Sequence, residues 1–515
     1  MTGFAMIAAA LERETEARGG FGDLFHTQGG RPFVALEIDG HRETWALRSD
    51  EFRRWLERGH LERTGQMPTS TAVHSVVRML ECRAHEGPER EVYIRVAHRD
   101  GRIYLDLADD RRRVVEVGPD GWRVIDNPPV HFLRGPQSRP LPVPETGGSI
   151  EMLRPLINVD DEAFVLVIAW LLDAFRVGYE HPLLIIEGPE GSAKSALLAI
   201  GQGLIDPTTK SAAGLPRSER ELLSEAGTGY LRAYDNVPAI STAMSNALCR
   251  LVTAGGPPIV MASIERMVLR RDLADRCVFV TCDPKQNCQP RSMLFAEIEL
   301  SLPKIMGAIL DILSHGLREL PNLQPENLTR MADFELWANA CETALWRKGT
   351  FSAAYRANRA AAAEDQLDAD PVASAVRILM AGRSTWSGNA TKLHVMLAPT
   401  FETMGTIGKP VSSRDLSVKL RKAVPSLRKV GIEIAFDRRG HGRDRIISIS
   451  ADSEAAGPNS LSGPAAPSSS ASSASSSKQD CSGSDGAAEM NSDDGGHWNQ
   501  ADDADDADDA DASMQ

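Results

Sequence analysis

Residues 182–201, PLLIIEGPEGSAKSALLAIG, place an ammonium and a hydroxyl side by side behind a glycine-rich turn. An apolar, strand-like run leads into Gly188, Pro189, Glu190, Gly191, Ser192 and Ala193, and Lys194 and Ser195 then open an amphipathic helix. Polyphosphate recognition needs these parts in this order. Backbone N–H groups turn inward around the anion, the lysine neutralises it, the hydroxyl takes a place on Mg²⁺, and the helix start presents its positive dipole end. The spacing therefore points to a nucleoside triphosphate, with ATP and Mg²⁺ as the expected ligands. Ala193 stands where such loops usually carry a second glycine. A left-handed backbone there would cost alanine about 1–2 kcal/mol, whereas helical dihedrals would accept it freely.

Hydrolysis needs an acid on a later strand, and YLRAYDN supplies Asp235 about forty residues on. Asp235 and Ser195 together could hold the metal. Asn236 follows, where a glutamate would take a proton from water; asparagine can orient a water but cannot deprotonate it. Arg276 stands just before the apolar strand CVFVT, a position from which it could reach a neighbouring subunit's phosphate, or form an ordinary ion pair. Ser263, at the end of PPIVMAS, is the polar candidate for sensing the terminal phosphate.

The elements that must position these groups read as an α/β alternation over residues 149–300. A buried helix is predicted at 160–176, and further helices from Ser195, near 217–226 and at 241–254. Strands are predicted at 182–187, 230–234, 258–263 and 277–281. This doubly wound order puts ligands at the carboxyl ends of parallel strands. Residues 301–368 read as a helical lid, and the whole stretch 292–365 as helical throughout. Residues 21–148 read as an α+β domain, with a hairpin turning at Asp39-Gly40, a helix capped by Ser49, and a β-meander turning at Asp100-Gly101 and Asp120-Gly121. Pro128 to Pro144 reads as a linker, and residues 1–20 as a short helix. Carboxylates at Glu37, Asp39, Asp106 and Asp109 sit at turns without a partner histidine, which argues against a polymerase or primase site.

Charge divides the far end of the chain. The net charge of −14 resides almost wholly in residues 451–515, where fourteen acids face Lys478 alone, whereas residues 371–450 carry fourteen Lys and Arg against five acids. Residues 369–450 read as a basic, winged-helix-like module. In it, SSRDLSVKLRKAV forms a helix with apolar Leu416, Leu420 and Val424 and basic Arg414, Lys419, Arg421 and Lys422. A two-stranded ribbon follows, its tip carrying Arg438, Arg439 and Arg443. Such clusters suit nucleic-acid phosphates, with single-stranded or forked DNA as the expected partner. The Ser/Ala/Asp-rich tail from 451 is expected to be disordered, as too little apolar surface is available to offset its ordering entropy; it could compete with DNA for the basic module.

Seven scattered cysteines fit reduced thiols, and Cys277, Cys282 and Cys288 lack paired metal-site spacing. The longest apolar run, AFVLVIAWLLDAF, is too short to span a bilayer. A cytoplasmic protein without membrane contact is expected.

Taken together, GPEGSAKSALL, LPRSERELLSEAGTGYLRAYDN, DLADR, LTRMADFELWA at 328–338 and WSGNATKL at 386–393 resemble the superfamily 3-like (D5-type) helicases and ATPases of bacterial prophages and mobile elements. The resemblance runs from about residue 21 to 450. It implies a P-loop core of AAA+ type, assembly into a homo-oligomeric ring, contacts with other replication proteins, and ATP-driven work on DNA. Lys194, Ser195 and Asp235 would be its ATP and Mg²⁺ residues, and Arg276 would act across the subunit boundary. Two departures bear on unwinding: Ala262 and Ser263 replace the family's usual asparagine, and the segment between Gly256 and Pro257 lacks room for a DNA-gripping hairpin. A non-catalytic, nucleotide-switched DNA-binding initiator or regulator is the alternative.

Overall fold

The computed structural model describes residues 23–209, 212–225, 229–284, 290–324, 328–403, 413–439 and 444–451. The predicted amino-terminal helix, the acidic tail beyond Ala451 and the ribbon tip with Arg443 lie outside the described residues.

The chain opens with an antiparallel three-stranded sheet, β1 (Asp23–His26), β2 (Pro32–Ile38) and β3 (His41–Ala46). β2 and β3 meet at Ile38↔His41 across a two-residue turn, in which Asp39 and Gly40 have φ of 51° and 82°. Positive φ at both central residues is what the right-handed twist of a tight hairpin demands, and Asp-Gly supplies it. Helices α1 (Asp50–Thr64) and α2 (Ser70–Glu86) cover this sheet, α1 starting where Ser49 Oγ accepts from the Phe52 N–H at 3.2 Å.

A short parallel pair, β4 (Val92–Tyr93) and β9 (His131–Phe132), flanks the meander β5 (Val96–Arg99), β6 (Arg102–Asp106), β7 (Val114–Gly118) and β8 (Gly121–Ile125). β9 falls inside the stretch predicted as a linker, and that expectation is corrected. His131 pairs with Val92, the Leu141 N–H bonds Leu107 O at 2.8 Å, and Val130 and Leu141 are buried. The prolines limit donors in this stretch without preventing it from packing.

The central sheet joins β10 (Leu183–Glu187), β11 (Arg232–Tyr234), β12 (Ile259–Ser263) and β13 (Cys277–Thr281) in the order β11-β12-β10-β13, all parallel. Connections leave β10 for β11 and β12 on one side and return for β13 on the other. The crevice at the carboxyl end of β10 is thus the point where strand order reverses, the usual ligand position in open parallel sheets. Helix α3 (Asp161–Asp173) is capped by Asp160, whose carboxylate accepts from the Ala163 N–H at 2.7 Å, and it is buried on nearly all sides. Helix α4 (Lys194–Ile205) follows the glycine-rich loop; α5 (Glu219–Glu225), α6 (Thr242–Thr253) and the single turn α7 (Arg271–Ala274) complete the connections.

Among the described residues, the stretch predicted as helical throughout is broken into α8 (Arg291–Glu319), a 3-10 turn at Leu320–Asn322, α9 (Ala332–Glu342) and α10 (Thr350–Ala369). α9 begins only after Met331, and the α9–α10 turn passes Gly349 at φ 93°, where the buried Glu342 carboxylate accepts from the N–H groups of Gly349 and, at 2.9 Å, Phe351. One hydrophobic core runs from Val96 of the meander through the central sheet to Tyr355 of α10.

A second, separate core is built from α11 (Pro371–Met380), β14 (Thr385–Gly388), α12 (Ala390–Thr403), α13 (Ser413–Lys429), β15 (Ile432–Arg439) and β16 (Asp444–Ala451). Its strands lie in the order β14-β16-β15, a third strand beyond the two-stranded ribbon predicted. On α13, Leu416, Leu420, Ala423 and Leu427 are buried, and Val424 packs at the edge. Among the described residues no helix is long and apolar enough to cross a membrane.

Candidate functional site

The glycine-rich loop joins β10 to α4 at the switch point, and its backbone is left-handed at three positions, with φ of 150° at Gly188, 77° at Gly191 and 68° at Ala193. Gly188 also lies so close to its neighbour strand that a Cβ would stand 2.4 Å from Cys282 O. Glycine is dictated there by both space and dihedral. Ala193 takes the strained alternative left open by the spacing, at about 1–2 kcal/mol.

Lys194 is buried, and its ammonium donates to Gly188 O and Pro189 O, each at 2.7 Å, and to Ser192 Oγ at 3.4 Å. The cation is thus docked on the loop it would share with a phosphate. Ser195 lies forty residues from Asp235 in sequence, yet Ser195 Oγ donates to Asp235 Oδ2 at 3.1 Å. Asp235 sits one residue past β11, its other oxygen accepting from the Asn236 N–H at 2.8 Å. Asn236 is exposed at φ 51°, a conformation asparagine tolerates better than most side chains.

Ser263 is level with Glu187 at the carboxyl end of the sheet and buried beside the loop. Arg276 is not brought to this cluster. It precedes β13 at the amino edge of the sheet, where its carbonyl accepts from the Leu183 N–H at 2.9 Å and its guanidinium bonds Asp272 O. The five residues of β10 separate that edge from the loop, about 16 Å.

Two groups near the loop carried little sequence signal. Glu187, the lone charge in LLIIE, is buried and accepts from the Met267 N–H at 2.6 Å; burial raises its carboxyl above the usual range, and that bond partly opposes the rise. Burial likewise pushes the Cys282 thiol up to about 11, against the pull of the Lys194 charge. Beside Ser195 and Asp235 opens a cleft of about 520 Å³, walled by α4, by Pro140 and Pro142, and by Ile298 and Leu302 of α8. Among the described residues no group of three His, Cys, Asp or Glu is placed to hold a metal ion by itself. A hydroxyl–carboxylate pair could hold a cation only together with ligands from elsewhere.

In the basic module, Lys419, Arg421 and Lys422 are exposed on α13, and the Arg421 guanidinium lies over the Phe436 ring at 4.9 Å. Arg438 and Arg439 end β15, where they pair with Arg445 and Asp444 across the ribbon, and Arg414 is in the first turn of α13.

Fold and loop define a mixed α/β protein whose glycine-rich turn crowns a parallel sheet. Two family models match the chain consecutively: one described as an actinomycete integrative conjugative element (AICE) replication protein, over residues 150–368, and one as the AICE RepA C-terminal domain, over residues 372–469. Together they span more than half of the chain, which belongs to this family of replication proteins of a mobile element. A search of curated proteins gave no match. Among solved structures, the chain is similar to the one described as SCCmec type IV Cch, an active helicase, at 11% identity and a TM-score of 0.44, with 83% of this chain and 92% of that one covered. It is also similar to the NrS-1 C-terminal region (residues 305–718), at 12% identity and a TM-score of 0.37, with 86% and 98% covered.

Proposed function

We propose that this replication protein is a nucleoside triphosphatase that moves or opens DNA, with a P-loop core of AAA+ type, a helical lid and a carboxyl-terminal winged helix. The observation that carries the reading is the Ser195–Asp235 contact, which joins the loop hydroxyl to the only acid that the sequence offered for the metal. With Mg-ATP bound, Lys194 would leave the Gly188 and Pro189 carbonyls for the phosphates, the loop amides would line the chain of phosphates, and Ser195 and Asp235 would hold Mg²⁺. The nucleotide supplies the phosphoryl group; the protein's task is positioning and charge neutralisation. Ser263, buried at the carboxyl end of the sheet, would be the residue that senses the terminal phosphate. Arg276, remote from its own loop, would act on a neighbouring copy's phosphate in a homo-oligomeric ring.

The helix–strand–helix–helix–strand–strand order of residues 371–451 supports the winged-helix reading, with α13 as the DNA-facing helix and Lys419, Arg421 and Lys422 as phosphate contacts. Phosphate release by wild type and Lys194→Ala, with and without single-stranded DNA, tests the enzyme. DNA-stimulated release that Lys194→Ala abolishes is the expected result, and equal rates throughout would defeat it.

Asn236 favours a second reading. With an amide at the position that would hold a proton acceptor, the nucleotide could act as a switch on a DNA-binding initiator without turnover. Stable ATP-bound complexes that bind DNA steeply with salt, but release no phosphate, would select it.

A further inference from the structure

We infer that the cleft among the three amino-terminal sheets is a second nucleic-acid site, which takes the phosphates of a single strand. Nothing in the proposed function uses it. The cleft measures about 580 Å³, within the range of ligand sites, and is lined by Arg42 of β3, Arg90 before β4, Tyr93 of β4, His98 and Arg99 of β5, and His131 of β9. Three guanidiniums on three different segments therefore converge on one opening.

At its floor His131 is buried, its ring tilted by 32° against Phe25 with the centroids 4.6 Å apart. Arg90 donates to His131 Nε2 at 3.3 Å and to Asp23 Oδ2 at 2.8 Å, while His131 Nδ1 faces Thr44 Oγ1 at 3.4 Å. Accepting from a guanidinium requires Nε2 to be bare, so the ring is the neutral Nδ1–H tautomer. The local field agrees: burial and the charges of Arg42, Arg90 and Arg99, opposed only by Asp23, favour the uncharged ring.

The acids around the cleft are largely engaged. Asp23 is paired with Arg90, Glu91 accepts from Tyr93 OH, and Asp100 holds Arg99 at 3.4 Å where both are exposed; Glu89 stands at the rim. Arg42 is exposed beside the opening. A narrower cleft, also lined by Arg42 and Val130, lies beside it, and there Arg112 and Arg134 are already bound by Glu43 and Asp106. The donors are side chains strung along a groove, without the amide cradle that a mononucleotide's phosphates use at residues 188–195. Guanidinium planes and the Tyr93 ring suit successive phosphates and bases of a strand.

The test is anisotropy of a labelled oligothymidylate with the full chain carrying Lys419→Glu and Lys422→Glu, titrated without nucleotide at several salt concentrations. Adding Arg42→Ala and Arg99→Ala should weaken binding about tenfold at low salt and flatten the salt slope by about 1.4, near 0.7 for each lost phosphate contact. Arg42→Glu alone, at an exposed position that leaves the melting transition in place, should weaken it further than Arg42→Ala. Unchanged affinity and slope in these variants would overturn the proposal. A free-nucleotide arm uses ATP with the Lys194→Ala chain: uptake lost on Arg42→Glu, with oligonucleotide binding intact, would assign the cleft to a mononucleotide and equally overturn it.

Discussion

At the scale of single residues, the loop carries strain in Ala193 that glycine would not. Ala193→Gly should raise unfolding free energy by about 1 kcal/mol despite the extra freedom glycine gives the unfolded chain, as positive φ is the larger effect. A rise in the urea midpoint with unchanged slope would show it, and a fall would mean that the alanine methyl makes compensating contacts. His131 offers a pH signature. Its ring titrates at about 4 in the folded protein against about 6.5 unfolded. Between those values the unfolded chain binds the extra proton, so this group's contribution is complete above about pH 6.5 and is lost as pH falls toward 4. Melting wild type and His131→Asn across that window should give a shallower acid decline for the variant. Parallel declines would place the acid sensitivity in other groups.

Between elements, the sharpest non-local tie joins the meander to the far end of the loop helix. Arg95 is almost wholly buried at φ 68°, and its Nε donates to Asp206 Oδ1 at 2.9 Å, while Asp206 Oδ2 accepts from the Tyr230 N–H at 2.7 Å. Arg95 also donates to Asp106 O and Arg139 O. Arg95→Met would leave Asp206 buried without its counter-charge, a loss of about 3–5 kcal/mol by chemical denaturation. A cost below 1 kcal/mol would mean that water or Tyr230 suffices. This tie also shows where sequence reading stopped. Asp39-Gly40, Asp100-Gly101, the Ser49 cap and the strand–loop–helix around Lys194 were legible because each is decided within a few residues. The place of Asp235 beside Ser195 was legible too, as it requires only a strand and an acid at its end. Nothing near Arg95 announces Asp206, and the proline content of 128–144 concealed a strand pairing made 39 residues away, between His131 and Val92. The spacing G-x-x-x-x-A-K-S allowed either backbone at Ala193, and only the closed loop decided it. Arg276 lies at the sheet's opposite edge because a residue before a parallel strand stands at its amino end; that geometry was already implicit in CVFVT.

For the molecule as a whole, the two cores respond differently to truncation. Ending the chain after Ala369 removes only the second core and Leu367's contacts with it, so the truncated protein should keep a cooperative melt and ATP uptake while losing much of its DNA affinity. Removing residues 1–148 instead strips Val96, Ile103, Leu105, Val115 and Val117 from the first core, together with the Ser314–Gly118 hydrogen bond of 2.7 Å. Aggregation or a broad, non-cooperative melt is expected, and a sharp transition near the parent's would contradict a shared core. The same division governs how such chains can be recombined. The carboxyl-terminal module, sealed around its own leucines and isoleucines, can be exchanged as a cassette, and under the proposed function its replacement would redirect the protein to a different DNA. The meander cannot travel alone, because any donor would have to bring a matching surface on α8 and an acid at the end of the loop helix.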